Sequence, residues 1–135
     1  MPATISMPDL HRDGWSLDDA EVRQKENPQT FHIPDIRIRR ALRPGDLAKL
    51  IFKLAVDDEA QEAVERMWVV VSERLEAGVY IGLLDNQPSE IAENDVFWLG
   101  SELPFEARHV IDADMGDEKT RAWAARGPLS RWPRG

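Results

Sequence analysis

Residues 67–84 read MWVVVSERLEAGVYIGLL. From Met67 to Val71 every side chain is apolar and three are β-branched. Both faces of such a run need cover, so it predicts a central strand with Trp68 buried in it. Glu76-Ala77-Gly78 has turn composition, and VYIGLL follows as the return strand. The two runs predict an antiparallel hairpin. Upstream, Gly45-Asp46 is a turn before LAKLIFKLAV. There Ala48, Leu50, Phe52 and Leu54 alternate with Lys49 and Lys53, the pattern of a half-buried strand. Downstream, Asp85-Asn86-Gln87-Pro88 is a polar turn and Glu93-Asn94-Asp95 another. They bound a strand expected at Val96–Leu99. Pro104 separates it from a last strand at about Ala107–Ile111.

Helices flank this β-rich middle. Ser16 before LDDAEVRQKEN predicts a capped helix that Pro28 ends near Glu26. PDIRIRRALRPGD suits a short helix at about 35–42, and its alternation of Ile36 and Ile38 with Arg37 and Arg39 suits a strand equally well. A further helix is expected at about 117–125, with disorder beyond 126, where Gly127, Pro128, Pro133 and Gly135 gather. The fold class is therefore α+β: a curved antiparallel sheet of about five strands, tending to a small barrel, with one or two flanking helices. The organisation is an N-terminal arm over 1–15, one domain over 16–118 and a basic tail over 119–135. A chain of 135 residues is one domain's worth.

There are no cysteines, which excludes disulfides and thiolate chemistry. Lys and Arg number 17 against 25 Asp and Glu, for a net charge of −8. Phosphate binding runs on Lys and Arg displacing counterions, so nucleic acid is an unsuitable general partner. The charge is uneven. Asp57, Asp58, Glu59, Glu62 and Glu65 form an acidic block, and the tail holds Lys119, Arg121, Arg126, Arg131 and Arg134 with no acid. Such blocks are solvated faces or steering surfaces for an oppositely charged partner. No apolar run reaches the roughly 20 residues that cross a bilayer. The first residues lack the pattern of a secretory signal, so a cytoplasmic location is expected.

Between 45 and 112 several short patterns follow one another. They are Gly45-Asp46-x-x-Lys49-Leu50-Ile51-Phe52, Glu65-Arg66-Met67-Trp68-Val69-x-Val71, Tyr80-x-Gly82-x-Leu84-x-Asn86-x-Pro88, Asp95-x-x-Trp98 and His109-Val110-Ile111-Asp112. In this order they resemble a bacterial family of small proteins designated domain of unknown function 2314. The resemblance covers about half of the chain. Asn94-Asp95 stands where that family often has Gly-Asp, and Asp112-Ala113 where it often has Asp-Trp. The family carries no established activity, so the resemblance implies no substrate, cofactor or catalytic residue. At fold level it is also similar to immunity proteins of bacterial toxin systems.

Few residues point to chemistry. Phosphate-cradling glycine loops, nucleophile elbows and His-Glu-x-x-His are absent from the sequence. His11, His32 and His109 are scattered. Asp112-Ala-Asp114-Met-Gly116-Asp117-Glu118 has the composition of a calcium loop but not its spacing. Counting from Asp112, the sixth and twelfth places hold Asp117 and Trp123 rather than Gly and Glu. Three residues remain as binding candidates. Glu65 precedes the apolar strand, where a desolvated carboxylate is a base or a turn anchor. Asn86 caps its own turn or contacts a ligand, and His109 lies within the family-like segment. Trp68 and Trp98 read as core aromatics. Trp123 and Trp132, among arginines, read as interface anchors or as a tail folded back on an acidic body.

The expected function is a non-catalytic, acidic protein-interaction module of the bacterial cytoplasm. Asp57, Asp58, Glu59 and Glu62 would face a basic protein partner, and toxin neutralisation is a special case. No metal or other cofactor is expected. The competing reading is a small hydrolase or ligand-binding enzyme that gathers Glu65, Asn86 and His109 around one pocket.

Overall fold

The computed structural model describes residues 5–56 and 61–134. A one-turn helix, α1 (Leu10–Asp13), is capped by Asp9, whose side chain accepts from Arg12 N, and is closed by Gly14 at a φ of 80°. Strand β1 (Trp15–Leu17) follows, then helix α2 (Ala20–Glu26) and the single turn α3 (Ile36–Arg39). The long strands β2 (Leu47–Ala55) and β3 (Glu62–Arg74) form a hairpin, and β4 (Val79–Leu84) returns along β3. Strand β5 (Glu102–Glu106), a 3-10 turn at Ala107–His109, strand β6 (Val110–Asp114) and helix α4 (Glu118–Ala124) complete the order.

Among the described residues these strands form one antiparallel sheet, in the order β1-β2-β3-β4-β5. Strand β6 shares an edge with β1. Trp15–Leu17 pair with Phe52–Leu54, and Val110–Asp114 pair with Leu47–Leu50. The path from β5 to β6 across the sheet is four strand spacings, about 19 Å if flat. The three residues of the 3-10 turn and their flanking bonds reach about 14 Å at most. The sheet must therefore curl, and it does, into a half-barrel. The α+β class and curved antiparallel sheet read from the sequence are what the structure has.

Strand alternation decides what fills it. Ala48, Leu50, Phe52 and Leu54 of β2 point inward and meet Met67, Val69 and Val71 of β3, Leu84 of β4, Leu103 and Phe105 of β5 and Val110 of β6. Outward, Ile51 is covered by Ala20 of α2 with Ile111, and Phe31 and Ile33 pack against them. The inner cluster is closed at one end by aromatic rings. Trp15 stacks on Phe97 with centroids 4.5 Å apart, and Phe52 lies 5.9 Å from Trp15.

Several expectations are corrected. Strand β3 is central, but Trp68 pairs with Lys49 on the outer face and is only half-buried, with Lys49 Nζ 5.7 Å from its ring. Trp98 is half-buried as well. The rings inside the core are Trp15, Phe52, Tyr80, Phe97 and Phe105. Ser16 does not cap α2. Asp19 does, accepting from Val22 N, because residues 15–17 pair with β2 and bury Trp15. Residues 35–42 resolve in favour of helix, shortened to one turn.

Val96–Leu99 is not a strand. Asn94 Oδ1 accepts from Val96 N and Phe97 N, and Ser101 Oγ accepts from Trp98 N, so side chains take the place of a ladder. The strand comes later and contains Pro104, which an edge strand tolerates. The expected strand at Ala107–Ile111 starts only at Val110.

The expected disorder beyond 126 is also corrected. Leu129 N donates to Gly100 O, and Glu102 N donates to Ser130 O. Trp132 stands edge-on to Trp15 at 5.6 Å, and its Nε1 donates to Ser6 O. Glu102 is buried; its carboxylate accepts from Trp132 N at 2.9 Å and from Arg134 Nη2 at 3.0 Å. A buried carboxylate and an exposed aromatic ring edge give the tail something to satisfy.

Candidate functional site

The sequence candidates fall in different places. Glu65 pairs with Phe52 and faces inward near the start of β3. Its carboxylate accepts from Ser89 N and Ser89 Oγ, both at 2.9 Å, and from Glu90 N at 3.1 Å. Asn86 Oδ1 accepts from Trp68 N at 2.6 Å. The structure thus brings Glu65 and Asn86 to one segment, residues 86–90, where both tie the loop after β4 to strand β3. Glu62 opens β3 and is exposed. Asp57, Asp58 and Glu59 lie outside the described residues.

His109 is elsewhere, in the 3-10 turn between β5 and β6, and only 2% exposed. Its Nδ1 accepts from Glu106 N at 2.9 Å, which places the ring proton on Nε2 in the neutral form. Burial, helped by the neighbouring Arg108 charge, pushes its pKa down to about 4. At neutral pH it is an uncharged brace for the turn. His11 and His32 are exposed. No group of three His, Asp or Glu side chains is arranged to hold a metal ion among the described residues. Asp112 and Asp114 each bond the next backbone N–H, and Asp117 caps α4 through Thr120 N.

A different set of side chains does converge. A cleft of about 420 Å³ opens between α3, the β3–β4 turn and the β5–β6 turn, and Arg40, Arg74 and Arg108 line it together with Tyr80, Glu21 and Glu106. Its floor is rigid. Arg39 is 5% exposed, and its Nη1 donates to Glu21 at 2.7 Å and to Ala107 O at 2.8 Å, while Nε donates to Pro34 O. The Tyr80 hydroxyl donates to Arg39 O and accepts from Leu42 N, which fixes the end of α3 on strand β4. Arg74 lies with its guanidinium 5.8 Å from the Tyr80 ring and donates to Arg40 O at 3.0 Å. Arg108 reaches Asp19 and Glu106, at 3.2 and 3.1 Å. On the β3–β4 side the wall is a turn with Ala77 at φ 63° and Gly78 at φ 78°, the two positive values of a type I′ turn.

Arg40, Arg74 and Arg108 carry no local signal in the sequence. They are far apart along the chain and meet because α3 and both turns end at the same side of the half-barrel. No family model, no curated protein and no solved structure matches this chain.

Proposed function

We propose that the chain is a non-catalytic protein-interaction module that meets a basic partner through an acidic surface. The observation behind this reading is how charge is used. Arg12, Arg23, Arg37, Arg39, Lys53, Arg108 and Arg134 are engaged in ion pairs within the fold. Among the described residues the exposed Glu62, Glu90, Glu93, Asp95, Asp112, Asp114 and Glu118 are in none. These pairs take seven cations and eight carboxylates, so the acid surplus of the composition remains outside them. Asp112 and Asp114 project from the same face of edge strand β6, next to the start of α4. Such a field steers an oppositely charged partner into contact.

The resemblance of residues 45–112 to domain of unknown function 2314 is part of the same proposal. So is a bacterial cytoplasmic setting, with toxin neutralisation as the special case. The binding roles of Glu65, Asn86 and His109 weigh less, since each is already engaged with backbone. The test is to capture a partner and measure its association rate at two salt concentrations. Two charge-reversed variants are compared with the parent: Asp112→Lys with Asp114→Lys, and Asp57, Asp58, Glu59 and Glu62 all changed to Lys. Slower association in salt and in either variant supports the reading. A rate indifferent to all three overturns it.

A further inference from the structure

We propose that the arginine-lined cleft binds a small organic molecule carrying a phosphate group. Charge accounting at the cleft comes first. Five ionised side chains line it: Glu21, Arg40, Arg74, Glu106 and Arg108. Glu21 is held by Arg39 from below at 2.7 Å, and Glu106 by Arg108 at 3.1 Å. Arg40 and Arg74 have no carboxylate within ion-pair distance among the described residues. Two positive charges therefore stand uncompensated at one concavity of a molecule whose net charge is −8. A phosphomonoester carries about −1.5 to −2 at neutral pH, which matches them.

Geometry supplies the second argument. Arg74 donates once to Arg40 O and lies against Tyr80, leaving the rest of its five-donor fork available. That fork fits phosphate oxygens in pairs, and its bond to Arg40 O and contact with Tyr80 keep it at the cleft. The space, about 420 Å³, lies within the range of roughly 300–1,000 Å³ typical of small-molecule sites. A single ion would leave most of it empty, so the phosphate should carry an organic group.

The site is independent of the acidic surface, and its test needs no protein partner. The full chain is titrated at low ionic strength with phenyl phosphate, and with benzoate and phenol as monoanionic and neutral controls. Amide shifts are followed by NMR. Saturable shifts centred on Leu75–Val79 and Ala107–Arg108 are expected with phenyl phosphate, with weaker binding of benzoate and none of phenol. Arg40→Gln and Arg74→Gln should each weaken binding about tenfold, the scale of one lost charge-assisted hydrogen bond. Arg40 makes no side-chain bond to a described residue, so Arg40→Gln should keep the parent melting temperature and read binding alone. Three outcomes overturn the proposal: no saturation by about 10 mM, where affinity is negligible; equal binding of benzoate; or shifts that persist unchanged in Arg40→Gln.

Discussion

Ala77 is the residue whose local cost is clearest. It adopts φ 63° in a turn that favours Asn-Gly or Gly-Gly, and the left-handed region costs a residue with a Cβ about 1–2 kcal/mol. Ala77→Asn should stabilise the fold by about 1 kcal/mol, read as a rise in melting temperature. An unchanged or lower melting temperature would show that the turn is not strained. His109 carries the pH dependence. Its folded pKa of about 4 lies below the ordinary value of 6.5, so between the two the unfolded chain binds more protons. The stability this supplies is complete above about pH 6.5 and is lost as pH falls toward 4, by up to about 3 kcal/mol. Denaturant unfolding at pH 7 and pH 4.5 should show that loss in the parent chain. In His109→Gln, less stable at pH 7, the slope with pH should be flatter. Trp68 belongs to the same scale. Half-buried under Lys49, it should cost about 1–2 kcal/mol on replacement by Ala, less than the roughly 3–5 of a core ring.

Among the elements, the tail is the one whose role the fold changes most. Residues 128–134 close the aromatic end of the half-barrel and satisfy Glu102. Truncation after Gly127 removes the Trp132 contact with Trp15 and leaves the Glu102 carboxylate buried without Arg134 or Trp132 N. The expected loss is about 2–4 kcal/mol, from lost packing and an unpaired buried charge. Equilibrium unfolding of the truncated chain measures it, and a change within about 0.5 kcal/mol would mean that the tail is not held. Strand β4 has its own weak point. A Cβ at Gly82 would approach Phe105 and Val69 to 3.1 and 3.2 Å, beside the bulge that β3 makes opposite it. Gly82→Ala should destabilise by about 1–3 kcal/mol, the scale of overpacking.

At the scale of the whole molecule, charge and curvature act together. The curl that three residues between β5 and β6 impose also gathers α3 and two turns at one end, and there the unpaired Arg40 and Arg74 meet. Elsewhere the exposed charge is mixed, with exposed Lys119, Arg121, Arg126 and Arg131 in the tail, and its balance is acidic. Association with a basic partner should slow as salt shortens the screening length from about 10 Å at 0.1 M to about 3 Å at 1 M. Ligand binding in the cleft should also weaken with salt, but only the cleft should respond to Arg40→Gln.

Alternation and turn composition, rules that act between near neighbours, made much of the sheet legible in the sequence. Alternation in 47–54 marked a half-buried strand, and the apolar run at 67–71 with the turn at 76–78 marked one hairpin and hence an antiparallel sheet. Helices were expected near the observed α3 and α4, with the alternation at 36–39 equally open to a strand until the fold decided it. Where partners lie far apart in the chain, only the tertiary structure decided. Trp15 became a strand residue because Phe52 and Phe97 wait for its ring, and that displaced the helix cap from Ser16 to Asp19. One miss was local: Asn94 takes the N–H groups of Val96 and Phe97, and Ser101 that of Trp98, so this stretch makes a loop and not a ladder. Trp132 and Glu102 form a docked pair that neither local segment announces. Composition fixes net charge, but which charges are neutralised depends on distances that only the folded chain creates, and the cleft of Arg40, Arg74 and Arg108 is one result.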